Sequence, residues 1–220
     1  MNVSEMNKKA GIRMILLYLV VQLLSGIIPA FFPEGTGPGV YLAVPMIMFT
    51  LGAAGMIILE RRYRMVHTFE EPFSPNARDI ILWGIVGVFV ALFVQNIAGI
   101  IEATFLGSNL SSVNTTQIME IVVRYPAFLL LAGIAGPIME EFVFRKVMFG
   151  LLLDKIGGVG AAVISSLFFA FVHLDGLLLV YSSMGFVFSW LYYKTKNIWT
   201  PIIAHCMMNV LAVLLNLFVM

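Results

Sequence analysis

Two adjacent carboxylates and an arginine stand in the stretch GPIMEEFVFR, Gly136 to Arg145, inside a long apolar run. A charged side chain at membrane depth costs roughly 2.5–3.5 kcal/mol on insertion scales, so such groups face a partner or a cavity and mark a functional site. A helix turns about 100° per residue. Glu141 and Arg145, four apart, therefore share a face and can pair. Glu140 is rotated about 140° from Arg145 and lacks that neutralising partner. Two more polar outposts interrupt apolar segments downstream. Phe169 and His173 are four apart, and so are His205 and Asn209.

Brought together, these residues could hydrolyse an amide. Glu140 would take a proton from water while His173 shares or orients it. His205 and Asn209 both offer N–H donors to a developing oxyanion, worth about 3 kcal/mol per donor in such sites. No serine triad is evident, and Ser165, Ser166, Ser182 and Ser183 read as helix-packing residues. The water mechanism requires no cofactor. Glu140, His173 and His205 would equally make a two-histidine, one-carboxylate set for a divalent metal such as zinc, although the sequence has no HExxH motif. Structural readings stand beside the chemical ones: a lone His or Asn in a span is usually a helix–helix hydrogen bond, and Glu141–Arg145 alone is usually a structural pair. His67 reads as a solvated residue of a charged loop, and Gln95 and Asn96 as packing or cavity-lining residues.

The elements that must position these groups are membrane spans. Of 220 residues, 60% are hydrophobic and only 11% charged, and the mean hydropathy is +0.98. A soluble domain is nearer half apolar and a quarter charged. The expected fold is all-α, a polytopic transmembrane bundle of about seven spans, with eight segments if one is broken or re-entrant. Apolar runs of spanning length begin with 11–32, read as an uncleaved first span, and continue with 40–59 and 79–101. A fourth, from Pro126 through the opening motif to Leu153, ends in a glycine-rich turn, Asp154 to Gly160. The last three are 161–174, 177–193 and 198–220. Loop 60–78 is charged, whereas 102–117 is polar and carries acid but no base; 118–125 reads as an interfacial segment. One cysteine, Cys206, excludes an internal disulfide.

Lysine and arginine cluster on one side. Lys8, Lys9 and Arg13, then Arg61, Arg62, Arg64 and Arg78, then Arg145, Lys146 and Lys155, and finally Lys194 and Lys196 fall there, against Arg124 alone on the other. The N-terminus is thus expected in the cytoplasm and the C-terminus outside. At about 1.5 Å per residue, Glu140 and His173 both lie roughly 21–23 Å above the tip of one hairpin, but His205 only roughly 12 Å above its own turn. His205 joins them only if that hairpin protrudes further into the cytoplasm.

EEFVFR (Glu140 to Arg145), FAFVH (Phe169 to His173) and HCMMN (His205 to Asn209) resemble, in order, the EExxxR, FxxxH and HxxxN motifs of the CPBP intramembrane proteases. That family includes type II CAAX prenyl endopeptidases and bacteriocin-processing and immunity proteins. The resemblance covers roughly 126–215, which divides the chain into N-terminal spans with their loops (1–125) and a CPBP-like core (126–220). It implies a glutamate-dependent peptidase: Glu140 as the base with His173 assisting, His205 and Asn209 stabilising the oxyanion, and Glu141, Arg145 and Phe169 shaping the site. Metal dependence stays open, since some members are described as metalloproteases. The implied partners are membrane lipid and a peptide or prenylated protein substrate, with no nucleic acid. A non-enzymatic immunity or scaffold protein of the same family is the alternative. One departure is Lys146, where many members carry glycine.

Overall fold

The computed structural model describes residues 3–70, 75–108 and 113–219. No strand occurs among them. Helix α1 (Val3–Ile27) passes through a 3₁₀ turn (Ile28–Phe31) to α2 (Pro38–Tyr63). Proline suits the start of α2, where the missing N–H would lack an intrahelical partner anyway. Helix α3 (Ala77–Leu106) ends at Gly107, whose φ of 70° supplies the left-handed turn that closes many helices. The short α4 (Val113–Arg124) extends the segment expected at the interface and packs Val122 against Phe128 and Val213.

The motif-bearing rod is not a simple α-helix. It runs through α5 (Phe128–Leu130), a π-helical turn (Leu131–Ala135), α6 (Gly136–Glu141), a second π-helical stretch (Phe142–Phe149) and the start of α7 (Gly150–Phe171). Wide π turns inside helices recur at functional sites. Within α7, Gly157 leaves the helix (φ 75°, ψ 165°) and reverses the chain, so that the rings of Phe144 and Phe169 meet at 5.5 Å. Only glycine adopts that conformation without strain. Helices α8 (Leu178–Thr195) and α9 (Trp199–Val219) complete the bundle.

Among the described residues, four stretches are long and apolar enough to cross a membrane: Glu5–Phe31, Pro38–Tyr63, Ala77–Leu106 and Phe128–Phe171. The last is two arms joined at Gly157, and the apolar part of α9, Trp199–Leu215, is shorter. Counting the two arms separately, with α8 and α9 there are seven long helical segments among the described residues, of which fewer than the seven expected are individually of spanning length and hydropathy. Leu23, Leu51, Phe89 and Phe93 are exposed on the outer faces, as a lipid solvent requires. This is an integral membrane protein, a helical bundle. Apolar lipid gives helices no hydrophobic reason to associate, so close contact rests on small residues. A Cβ at Gly87 would meet Leu191 and Ala204, and one at Gly185 would meet Ser166. In this way α3 packs on α8 and α9, and α7 on α8. The rod from 128 to 156 spans roughly 40 Å at about 1.5 Å per residue, more than the ~30 Å hydrocarbon core.

Candidate active site

Glu141 and Arg145 pair as their spacing predicts, Nη1 to Oε1 at 3.2 Å, with both side chains fully buried. The guanidinium is off-axis for a hydrogen bond. Aromatic faces hold it instead, 4.3 Å from the Phe169 centroid and 5.3 Å from that of Phe188. Cation–π attraction is strongest where, as here, water is excluded. His205 crosses from α9 to place Nδ1 2.8 Å from the same Glu141 oxygen. The carboxylate can only accept, so Nδ1 carries the proton. Nε2 then points toward Glu140 Oε2 at 3.8 Å, and the His205 ring stacks on Phe188 at 4.7 Å. Helix α1 adds Tyr18, buried within electrostatic reach of Glu140 and bonded to Gln22 at 2.9 Å.

His173 lies two residues past the end of α7. Its Nδ1 is 2.7 Å from the carbonyl of Phe169, so Nδ1 is the donor and Nε2 is left as an acceptor. Spacing permits Glu140 and His173 to face each other; the imidazole in ion-pair range of Glu140 is that of His205. The turn after Phe171 sets the His173 ring against the carbonyl of its own helix end. Phe169 is the common wall: its ring centroid lies 4.7 Å from His173 and 5.7 Å from His205. Asn209 gives one amide N–H to the carbonyl of Ala132 at 3.1 Å, a group in the first π turn. No group of three or more His, Cys, Asp or Glu among the described residues is arranged to hold a metal ion. The Nδ1 bonds of His205 to Glu141 and of His173 to a carbonyl leave both Nε2 atoms as the nitrogens a metal would use.

A cavity of about 770 Å³ opens between α3, α4, α8 and α9. His173, His205 and Asn209 line it, with Tyr181 from α8 and Gln95 and Asn96 from α3. The cavity-lining reading of the two α3 amides thus holds. A peptide here would meet imidazoles and amides set in apolar walls.

Two parts of the support were missed in the sequence. Glu102, read as a loop acid, is buried at the end of α3 and caps α8, accepting from the amides of Leu179 (3.1 Å) and Val180 (3.0 Å). An acid four residues inside an apolar run's end was the available signal. His67, read as solvated, is 4% exposed, and its Nε2 donates to the Lys146 carbonyl at 2.7 Å. The ring fits there because position 150 is glycine; a Cβ would fall inside the imidazole. Lys146 is itself buried, paired with Glu70 at 2.8 Å and Glu60 at 3.4 Å, and Tyr192 donates to Glu70 at 2.7 Å. This cluster accommodates Lys146 and ties the loop after α2 to the motif rod.

The bundle and its buried carboxylate–histidine centre define a class: helical membrane proteins built for polar chemistry at depth. Residues 122–211 match the family model described as type II CAAX prenyl endopeptidase, Rce1-like, a span that contains every residue from Glu140 to Asn209. Over that span the chain is similar to the Rce1-like family. It is 46% identical over 138 residues to YdiL, a candidate membrane peptidase of Bacillus subtilis (strain 168), covering 62% of this chain and 57% of that protein. It is 29% identical over 220 residues to the membrane-embedded CAAX protease MroQ of Staphylococcus aureus (strain USA300), covering 94% and 89%. A third relative, the UPF0177 protein YxdF of Lactococcus lactis subsp. lactis (strain IL1403), is 37% identical over 79 residues, 35% and 43% of the two chains. The chain thus spans little more than half of the first of these relatives. No solved structure matches it.

Proposed function

We propose that the chain is an intramembrane endopeptidase that cleaves a peptide bond by general-base attack of water, with no cofactor required. The observation that supports this most is Glu140 facing a histidine whose far nitrogen is anchored on a second glutamate, beside a cavity of peptide size. In this reading Glu140 takes a proton as the water oxygen bonds to the substrate carbonyl carbon, with His173 Nε2 accepting a hydrogen bond from the same water. The carbonyl oxygen becomes an oxyanion. The second amide N–H of Asn209 and, in the imidazolium form, Nε2–H of His205 stabilise it. Collapse breaks the C–N bond and returns the proton from Glu140 to the leaving amine. Glu141 and Arg145 hold His205 in place, and Phe169 separates the two imidazoles. The substrate is a peptide or protein segment reached within the membrane. MroQ is named a CAAX protease, which makes prenylated CAAX peptides the first to try. The basic loops orient the N-terminus to the cytoplasm and the C-terminus outside.

The test is cleavage by the purified protein of a prenylated CAAX peptide and a panel of peptide precursors, with and without a chelator. Glu140→Ala should abolish cleavage while the protein stays folded; a folded Glu140→Ala protein that still cleaves would refute the assignment. Loss to the chelator with recovery on adding zinc would replace the metal-free mechanism.

A further inference from the structure

His173 has an unusual support. Helix α7 ends at Phe171, and the next residues leave regular structure, with Leu174 at φ 55° and Gly176 at φ 83°. The ring is therefore carried by a turn, not by a helix. One backbone carbonyl at Nδ1 fixes its tautomer, and the Phe169 ring meets the imidazole edge-on at 4.7 Å. The face of the ring is held from α8. The ring of Tyr181 stacks on His173 with centroids 3.9 Å apart and planes 23° apart. Tyr181 is itself 7% exposed, and its hydroxyl donates to Asp175 Oδ2 at 2.8 Å. Asp175 belongs to the same turn as His173, and its other oxygen accepts from the Leu177 amide at 3.3 Å. Asp175 and Tyr181 thus close the turn into a ring of contacts around the imidazole.

We propose that Tyr181, tethered by Asp175, is a positioning residue that clamps His173 with Nε2 facing the cavity. The inference rests on the peptidase reading for its effect on rate, but the clamp is a physical arrangement that can be observed without turnover. Tyr181 acts through His173 and does not need to touch the substrate. An aromatic pair of this geometry is worth enough to change a rate up to about tenfold.

The experiment combines kinetics with nitrogen NMR of the full chain, ¹⁵N-labelled at histidine, in detergent micelles; His173→Gln assigns the signal. Wild type should show His173 as a single Nδ1–H tautomer. Tyr181→Leu should broaden or split that signal and lower kcat about tenfold with KM nearly unchanged. Tyr181→Phe, which keeps the stack but loses the Asp175 tether, should restore part of the rate. Should Tyr181→Leu not fold, Asp175→Ala decides by the same spectrum and should broaden His173. Wild-type spectrum and kcat in the informative variant would overturn the clamp. A wild-type protein that cleaves nothing would defeat the peptidase reading, and the His173 spectrum would still decide this one.

Discussion

Replacing Glu102 with alanine should loosen the first turn of α8. The first amides of a helix have no intrahelical partner, and here the two oxygens of one buried carboxylate take those of Leu179 and Val180. A hydrogen bond to a charged group is worth about 1.5–3 kcal/mol, and the helix dipole favours a negative charge at that end. The bond to Val180 is buried, but Leu179 is 36% exposed, and water can replace part of what it loses. The net cost of the alanine variant is then about 3 kcal/mol, not the simple sum of about 6. At 1.4 kcal/mol per factor of ten, that is roughly 100-fold in local opening. Glu102→Gln keeps one acceptor oxygen and should lose about half as much in free energy. Amide hydrogen exchange at Leu179 and Val180 in micelles reads this directly. Protection within about twofold of wild type in Glu102→Ala would show that α8 is held by packing alone.

Lys146→Met should destabilise the protein by about 2–4 kcal/mol, somewhat less than a fully buried pair, because Glu60 and Glu70 would share a partly buried site without their cation. Adding Glu70→Gln should recover part of the loss in thermal unfolding; no recovery would show that the charges are not coupled. Burial first, and the Lys146 ammonium second, lower the His67 pKa below its ordinary 6.5, against smaller opposing pulls from Glu70 and Asp154. The unfolded chain then binds a proton that the folded chain refuses. Stability is full above pH 6.5 and falls below it, by at most about 1.4 kcal/mol per pH unit. His67→Gln should flatten that slope, and a wild-type melting temperature that rises on acidification from pH 6.5 to 5.5 would contradict it. Gly150→Ala should displace the His67 ring and cost about 1–3 kcal/mol. Gly158→Ala, with open space around it, should melt within a degree or two of wild type, about 0.5 kcal/mol; equal losses in both would remove the steric argument.

Much of the site was legible because its signals are local. The Glu141–Arg145 pair follows from helical spacing, and the Gly157 reversal from a glycine-rich gap between apolar runs. The spans follow from runs of hydrocarbon that only a bilayer would solvate. His173 shows how far local reading reaches: spacing measures depth along an axis, while the turn after Phe171 sets how the ring is held. His67 shows where it fails. Charged neighbours suggest water, yet the folded loop docks against Lys146, whose carbonyl lies 79 residues away.

Sequence by itself determined the solvent of this protein, its helical class, and which polar residues must be hidden or paired. Those follow from transfer free energies and the helical period, which act residue by residue. Only the tertiary structure decided that His205 bridges Glu140 and Glu141 across 64 residues, that Glu102 caps α8, and that Tyr181 backs His173. A buried polar group must find a partner, but its energy does not specify which one. That choice is made by how the rods cross, and small residues such as Gly87 and Gly185 set how closely they approach.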